Sequence, residues 1–198
     1  MVSPAFPGLF FAFAGWVLLL FASVSPPAWT AVKFLSANAG SQTTVFGVLG
    51  QCVVGGACTA KHVGYNIAVA GASNVNTNPT VLHHLTYALI LHPIAGAIAF
   101  IGFILGLVGI ICASRIATIF MALLESLAAV IALVVFVIDM VLWNLVKNRL
   151  RDGGYTATLG NANWLTVGAV VALFLSMCTS VCGACGRFAT GRAAGERY

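Results

Sequence analysis

Four apolar segments, each long enough to cross a bilayer, account for most of this 198-residue chain. They run roughly over residues 9–24, 85–112, 116–146 and 164–181. The hydrocarbon core of a bilayer needs about 20 apolar residues per helix. Hydrophobic residues make up 61% of the chain and charged residues only 7%, which is far from the composition of a soluble domain. The sequence therefore predicts an all-α membrane protein with four transmembrane helices.

These segments organise residues 1–198 as a single membrane domain. We expect transmembrane helices at about 7–25, 85–112, 116–146 and 164–183, a first loop at 26–84, a second loop at 147–163, and a tail at 184–198. No Lys or Arg precedes the first segment, and Pro26-Pro27 directly follows its candidate cleavage site. The first segment is therefore expected to be a retained span rather than a cleaved signal peptide.

The orientation of the chain is predicted from its cysteines. The Lys and Arg residues are nearly balanced between the two sides, so the positive-inside rule does not decide. Cys52 and Cys58 flank Gly55-Gly56, and a hairpin there would bring the two thiols together; two free thiols are the alternative. Disulfides persist outside the cytosol, and the other four cysteines cluster at the opposite ends of the spans. We therefore expect an extracellular first loop and cytosolic termini.

The first loop has the composition of a small β-sheet. Residues that favour strands are concentrated at 31–35, 43–54 and 62–69, with glycines between them. A disulfide between Cys52 and Cys58 would close a very short loop, so we expect it to hold the register of the sheet. His62 alone does not complete a zinc site, and no metal or cofactor is expected.

The spans contain few polar groups, and their positions are informative. Gly102 and Gly106 form a small-xxx-small pair that favours close helix packing, although loosely tolerated glycine is an alternative. Glu125 and Asp139 lie two heptads apart on one helical face, with Glu125 expected in the cytosolic half and Asp139 at the outer end. His92 is expected at the depth of Asp139, and we predict a buried pair between them.

Three interpretations of the intramembrane acids stay open. They form a structural contact between helices, a contact with the transmembrane helix of a partner, or part of a proton or ion path. Three further candidates, Cys178, Cys182 and Cys185, lie at the expected cytosolic membrane edge beside Arg187 and Arg192. S-palmitoylation, inert thiols and a metal site are the alternatives for these cysteines.

Enzymatic activity is not expected. The chain has no phosphate-binding glycine loop, nucleophile elbow, HExxH motif or paired catalytic carboxylates. Its net charge of +5 comes from scattered residues, so no nucleic-acid partner is expected either. The remaining function classes are binding, structural and proton-linked roles in a membrane.

The order of these features resembles the fungal PalI family, a group of claudin-like four-span proteins linked to the ambient-pH response. The segments that carry the resemblance are Phe46-Gly47-Val48-Leu49-Gly50-Gln51-Cys52, Cys58, Gly64-Tyr65, Leu89-Ile90-Leu91-His92-Pro93-Ile94-Ala95 and Phe136-Val137-Ile138-Asp139-Met140-Val141-Leu142. Together they cover nearly the whole chain. Claudins proper have a tryptophan near the place of Val48.

The resemblance implies both a fold and a role. The fold would be a claudin-like four-transmembrane-helix bundle with a small disulfide-clamped extracellular β-sheet in the first loop. The role would be that of a non-enzymatic plasma-membrane accessory subunit that binds, stabilises or localises a larger integral membrane protein, expected to be a seven-span pH sensor. The third-span acids and second-span glycines would grip this partner.

Two alternative roles are kept. One is a self-associating tetraspan, a homo-oligomer that organises a plasma-membrane domain together with membrane lipids. The other is a proton-linked channel or sensor that uses His92, Asp139 and Glu125.

Overall fold

The computed structural model describes residues 6–71, 79–112 and 114–184. This part of the chain contains four helices that are long and apolar enough to cross a membrane, as the sequence predicts. They are α1 (Phe6–Ser23), α3 (Leu91–Ile111), α4 (Arg115–Asp152) and α5 (Ala162–Ala184), and a shorter helix α2 (Pro79–Ala88) precedes α3.

The four long helices form one bundle. Helices α1 and α4 each pack against both α3 and α5, so the order around the bundle is α1-α3-α4-α5. The bundle core consists largely of small residues, such as Ala95, Ala99, Ala128 and Ala169. Small residues suit this position because helices surrounded by lipid associate through close backbone approach rather than through burial of large apolar side chains.

An antiparallel four-stranded sheet lies at one end of the bundle. Its strands are β1 (Leu35–Ala39), β2 (Gln42–Phe46), β3 (Gln51–Val53) and β4 (Thr156–Leu159), in the order β3-β2-β1-β4. We call this the sheet end, where α1 and α4 end and α3 and α5 begin. The opposite end is the far end.

The sheet differs from the prediction in its strand bounds. Of the stretch 31–35, only Leu35 lies in a strand, and the stretch 43–54 is divided between β2 and β3 by a turn in which Gly47 N donates to Gly50 O. The stretch 62–69 is not a strand. Gly64 interrupts it with a φ of 69°, a conformation that few residues other than glycine adopt.

The second loop is also more structured than expected. Helix α4 continues to Asp152 instead of ending near 146, and β4 follows it. Strand β4 pairs with β1 in the register Leu35↔Leu159. The sheet is therefore not built from the first loop alone, because its fourth strand comes from the second.

The expected second span is divided into two helices. A candidate membrane span covers Leu82–Ile111, close to the expected bounds 85–112, and a turn at residues 89–90 separates α2, which ends at Ala88, from α3, which begins at Leu91. A hydrophobic core joins the sheet to the sheet end of the bundle. Its largest members are Trp143, Tyr65, Phe34 and Phe46, all fully buried.

Candidate functional site

Pro93 creates the local geometry of the candidate site. In a continuous helix the N–H of residue 93 would donate to the carbonyl of Leu89, but proline has no N–H. The oxygen of Leu89 instead accepts from the backbone N–H of His92 at 3.1 Å and lies 3.2 Å from His92 Nδ1. This contact holds Nδ1 of His92 against the backbone carbonyl of Leu89, so Nε2 faces the other helices.

The free nitrogen of His92 meets two further helices. Nε2 lies 3.1 Å from Oδ2 of Asp139 on α4 and 3.3 Å from Oγ1 of Thr166 on α5. The Thr166 hydroxyl donates to the carbonyl of Ala162 at 3.1 Å, so its oxygen is free to accept from His92. All three side chains are fully buried. The predicted His92–Asp139 contact is present, and it joins α3, α4 and α5.

Each ring nitrogen of His92 faces oxygen atoms. Nδ1 faces a carbonyl, and Nε2 faces a carboxylate and a hydroxyl oxygen. Among the described residues neither Asp139 oxygen makes an aligned hydrogen bond. The 3.1 Å contact keeps the two ionisable side chains next to each other, as is usual for such groups inside membrane proteins.

Aromatic rings close this site on the side of the sheet. The Phe34 ring lies edge-on to His92 with centroids 5.2 Å apart and stacks on Trp143 at 6.0 Å. Phe46 contacts Trp143 from a neighbouring strand at 5.8 Å. The His92–Asp139 pair therefore lies beneath the docked sheet, away from water.

Tyr65 extends the buried network into the first loop. Its hydroxyl donates to the carbonyl of Gly47 at 2.7 Å, and its own carbonyl accepts from Thr86 Oγ1 at 3.0 Å. Burial raises the pKa of Tyr65 above its ordinary value, the negative charge of Asp139 raises it further, and the bond to Gly47 opposes them. Tyr65 is therefore a neutral phenol that links the loop to α2.

The first-loop glycines are explained by close approach. A Cβ on Gly47 would collide with the backbone of Pro26, one on Gly64 would collide with the ring of Tyr87, and one on Gly50 would lie 2.5 Å from Thr59 Oγ1. Because these glycines have no Cβ, the loop can fold back on the segment after α1 and on α2. The glycines of the motif therefore serve the packing of the loop.

A disulfide and a glutamine side chain hold the edge of the sheet. Cys52 and Cys58 are bonded, as predicted, and Val53 N donates to Ala57 O at 3.1 Å across the turn. The side chain of Gln51 donates to the carbonyl of Ala68 at 2.7 Å and accepts from its N–H at 3.2 Å. Strand β3 is thus covered on its outer edge without a fifth strand.

Glu125 occupies a separate position in the bundle core. Its Oε1 lies 2.6 Å from the point that a Cβ on Gly102 would occupy, and Gly102 lies halfway along α3. Glu125 is fully buried and, within the described part of the chain, neither carboxyl oxygen has a hydrogen-bond partner. Gly106 faces the sulfur of Met121, one turn away. Glu125 therefore faces the middle of α3, and its expected place in the cytosolic half of the membrane stays a prediction.

The predicted cysteine cluster is only partly described. Cys178 is half-buried on α5, Cys182 lies near the end of the same helix, and Cys185 lies outside the described residues. Within the described ranges no group of three or more His, Cys, Asp or Glu residues could hold a metal ion. S-palmitoylation of these cysteines stays a prediction.

Sequence reasoning missed several residues of the site. Thr166, Phe34 and Trp143 were not singled out. Trp143 could have been found, since it follows Asp139 by one helical turn, whereas Thr166 is one of several hydroxyl residues in its span. Phe34 carries no such signal, because its position depends on the docking of the sheet.

The bundle, the disulfide-bonded sheet and the inward-facing polar side chains define a four-span membrane protein whose architecture is consistent with the claudin-like fold. A profile of the SUR7/PalI family matches residues 4–179, and the chain belongs to that family. The resemblance to the PalI family seen in the sequence is thereby confirmed. A comparison with curated proteins finds no match.

Proposed function

We propose that this protein is a non-enzymatic accessory subunit of the plasma membrane, which binds, stabilises or localises a larger integral membrane protein. A seven-span pH sensor is the client that the PalI resemblance implies. In this proposal the sheet is extracellular and both termini are cytosolic. Membership of the SUR7/PalI family and the disulfide at the sheet end support it.

The surface that binds the client differs from the one first expected. Glu125, Asp139, Gly102 and Gly106 are buried inside the bundle, where they contact residues of their own chain. They are therefore not available to grip a partner. A client must use a surface that faces outward.

The outward face of α4 is the best candidate surface, and it is the observation that carries the proposal. Apolar side chains that are 40–58% exposed recur there at steps of three or four residues. This spacing forms the seam of paired helices. The stripe consists of Leu127, Val130, Val134, Val137, Val141 and Leu145.

The stripe continues past the His92–Asp139 pair. Because Asp139 contacts His92 at the beginning of α3, the residues of α4 that follow Asp139 lie beyond the level where α3 begins. Leu145 lies about 9 Å beyond Asp139 along the helix. Trp164 on α5 and Tyr87 on α2 are exposed aromatic residues of the kind enriched at membrane surfaces. A helix of a membrane-spanning client would cover the stripe along its full length.

Affinity purification from native membranes in mild detergent, followed by mass spectrometry, tests the proposal. Val137→Trp should reduce recovery of the client several-fold, because a bulky ring prevents close helix approach. Val171→Trp on α5 is the matched control, since Val171 is 53% exposed and Val137 is 54% exposed. Equal recovery of a client from both variants would reject the α4 surface, and purification without any client would reject the accessory role.

The same stripe favours one alternative function, self-association into a membrane-organising oligomer. Two copies of α4 could pair through the same face, because the stripe repeats with the heptad-like spacing that symmetrical helix pairs use. Recovery of this chain as a homo-oligomer that Val137→Trp dissociates would favour this alternative over the accessory role.

A further inference from the structure

Glu125 is an ionisable side chain that takes no part in the His92–Asp139 site at the sheet end. It contacts Gly102 at the middle of α3, and both residues lie within candidate membrane spans. Neither of its carboxyl oxygens has a hydrogen-bond partner among the described residues, and the side chain is fully buried. Ionisable groups within membrane spans are rare and are usually paired.

The neighbouring helices offer no counter-charge. Helices α1, α3 and α5 contain no Lys, Arg, Asp or Glu. The titratable residues on these helices are His92 on α3 and the thiols of Cys178 and Cys182 on α5. His92 is already paired with Asp139, which lies 14 residues or about 21 Å from Glu125 along α4. On the other side, Arg115 lies ten residues earlier, at the beginning of α4.

From this geometry we infer that Glu125 and Gly102 form an intramembrane proton-binding site, in which the Glu125 carboxyl is a neutral acid sealed between α3 and α4. A carboxylate without a counter-ion would be strongly opposed in this environment, whereas a neutral carboxylic acid costs much less to bury. Gly102 supplies the space for this acid, because any larger residue would displace the carboxyl.

The proton of this site exchanges only when α3 and α4 separate. The carboxyl is fully buried, and the next turn of α4 is closed as well, since Met121 contacts Gly106 and Ser180. Occupancy of the site by a proton is thereby coupled to helix packing. This inference does not depend on the identity of a client or on the proposed function.

The composition of the chain permits a direct test, because Glu125 and Glu196 are its only glutamates. Protein labelled with ¹³C-glutamate in lipid nanodiscs would be examined by solid-state NMR at pH 7, where the side-chain carboxyl carbon reports its protonation. One protonated signal is expected in the natural protein and in Glu196→Gln, and none in Glu125→Gln. Two ionised signals, or a protonated signal that Glu196→Gln removes, would overturn the inference.

The role of Gly102 is tested by exchange of the carboxyl proton for deuterium, followed by infrared spectroscopy of the labelled protein. Gly102→Ala should accelerate exchange by roughly tenfold, because overpacking weakens a tight helix contact. Gly96→Ala is the matched control on the same helix, since its new Cβ would make only ordinary contact with Leu19 at 3.6 Å. Equal exchange rates in the two variants would contradict sealing of the site by Gly102.

Discussion

His92 and Asp139 face each other at 3.1 Å in a region where neither side chain is exposed, and they join the beginning of α3 to α4. Pro93 has no N–H to donate to the carbonyl of Leu89, and that carbonyl lies 3.2 Å from Nδ1 of His92. The pair lies directly beneath Phe34 and Trp143. The histidine, the proline and the aspartate of the family-like segments therefore form one structural unit that positions the sheet on the bundle.

The first prediction concerns the coupling of His92 and Asp139. Removing one member leaves the other buried without its partner, which typically destabilises a protein by about 3–5 kcal/mol. We expect His92→Leu and Asp139→Leu each to lower the free energy of unfolding by about this amount, and the double variant to lose much less than their sum. Thermal unfolding in nanodiscs measures this cycle. Additive losses would show that the two side chains do not interact.

The second prediction concerns Trp143 at the interface of sheet and bundle. Its Nε1 is buried without a hydrogen-bond partner among the described residues, so its contribution comes from ring packing. Trp143→Phe should therefore be mild, whereas Trp143→Ala should lower the free energy of unfolding by about 3–5 kcal/mol. Hydrogen exchange should rise first in β1 and β4. Uniform loss of protection in all four long helices would contradict a local role in docking the sheet.

The four spans, the Cys52–Cys58 disulfide and the His92–Asp139 contact were predictable from the sequence, whereas strand β4 and the end of α4 were not. Helix length and apolar composition define spans locally, and Cys52 and Cys58 are close enough in sequence for a turn to join them. Strand β4 is four residues long and pairs with β1 far along the chain, so no local pattern reveals it. The end of α4 at Asp152 was not predicted. Polar residues near 147 mark the end of the apolar span, but the helix continues beyond them.

The third prediction concerns the disulfide. In the loop-entropy description, a ring closed by Cys52 and Cys58 stabilises the fold by roughly 2 kcal/mol, because the ring is short. We expect Cys52→Ser with Cys58→Ser to raise hydrogen exchange in residues 53–59 while the helices keep their protection. Reduction of the natural protein should reproduce the effect. Collapse of helix protection would show that the disulfide supports the whole fold.

The fourth prediction concerns alkaline pH and Tyr65. Burial raises the pKa of Tyr65 in the folded protein, so the unfolded chain releases its proton at lower pH than the folded one. The stabilisation from this neutral phenol is present below the ordinary tyrosine value of about 10 and is lost as the pH rises above it. Unfolding measured across this range should show a steeper loss of stability in the natural protein than in Tyr65→Phe. Identical pH profiles would contradict it.

The central claim is that the outward face of α4 binds a membrane-spanning partner. The most direct measurement places a photo-crosslinking amino acid at Val137 in living cells, with Val171 as the matched position on α5. We expect a discrete crosslinked product, containing a larger membrane protein, from position 137 and only lipid adducts from position 171. Lipid adducts alone from both positions would contradict it.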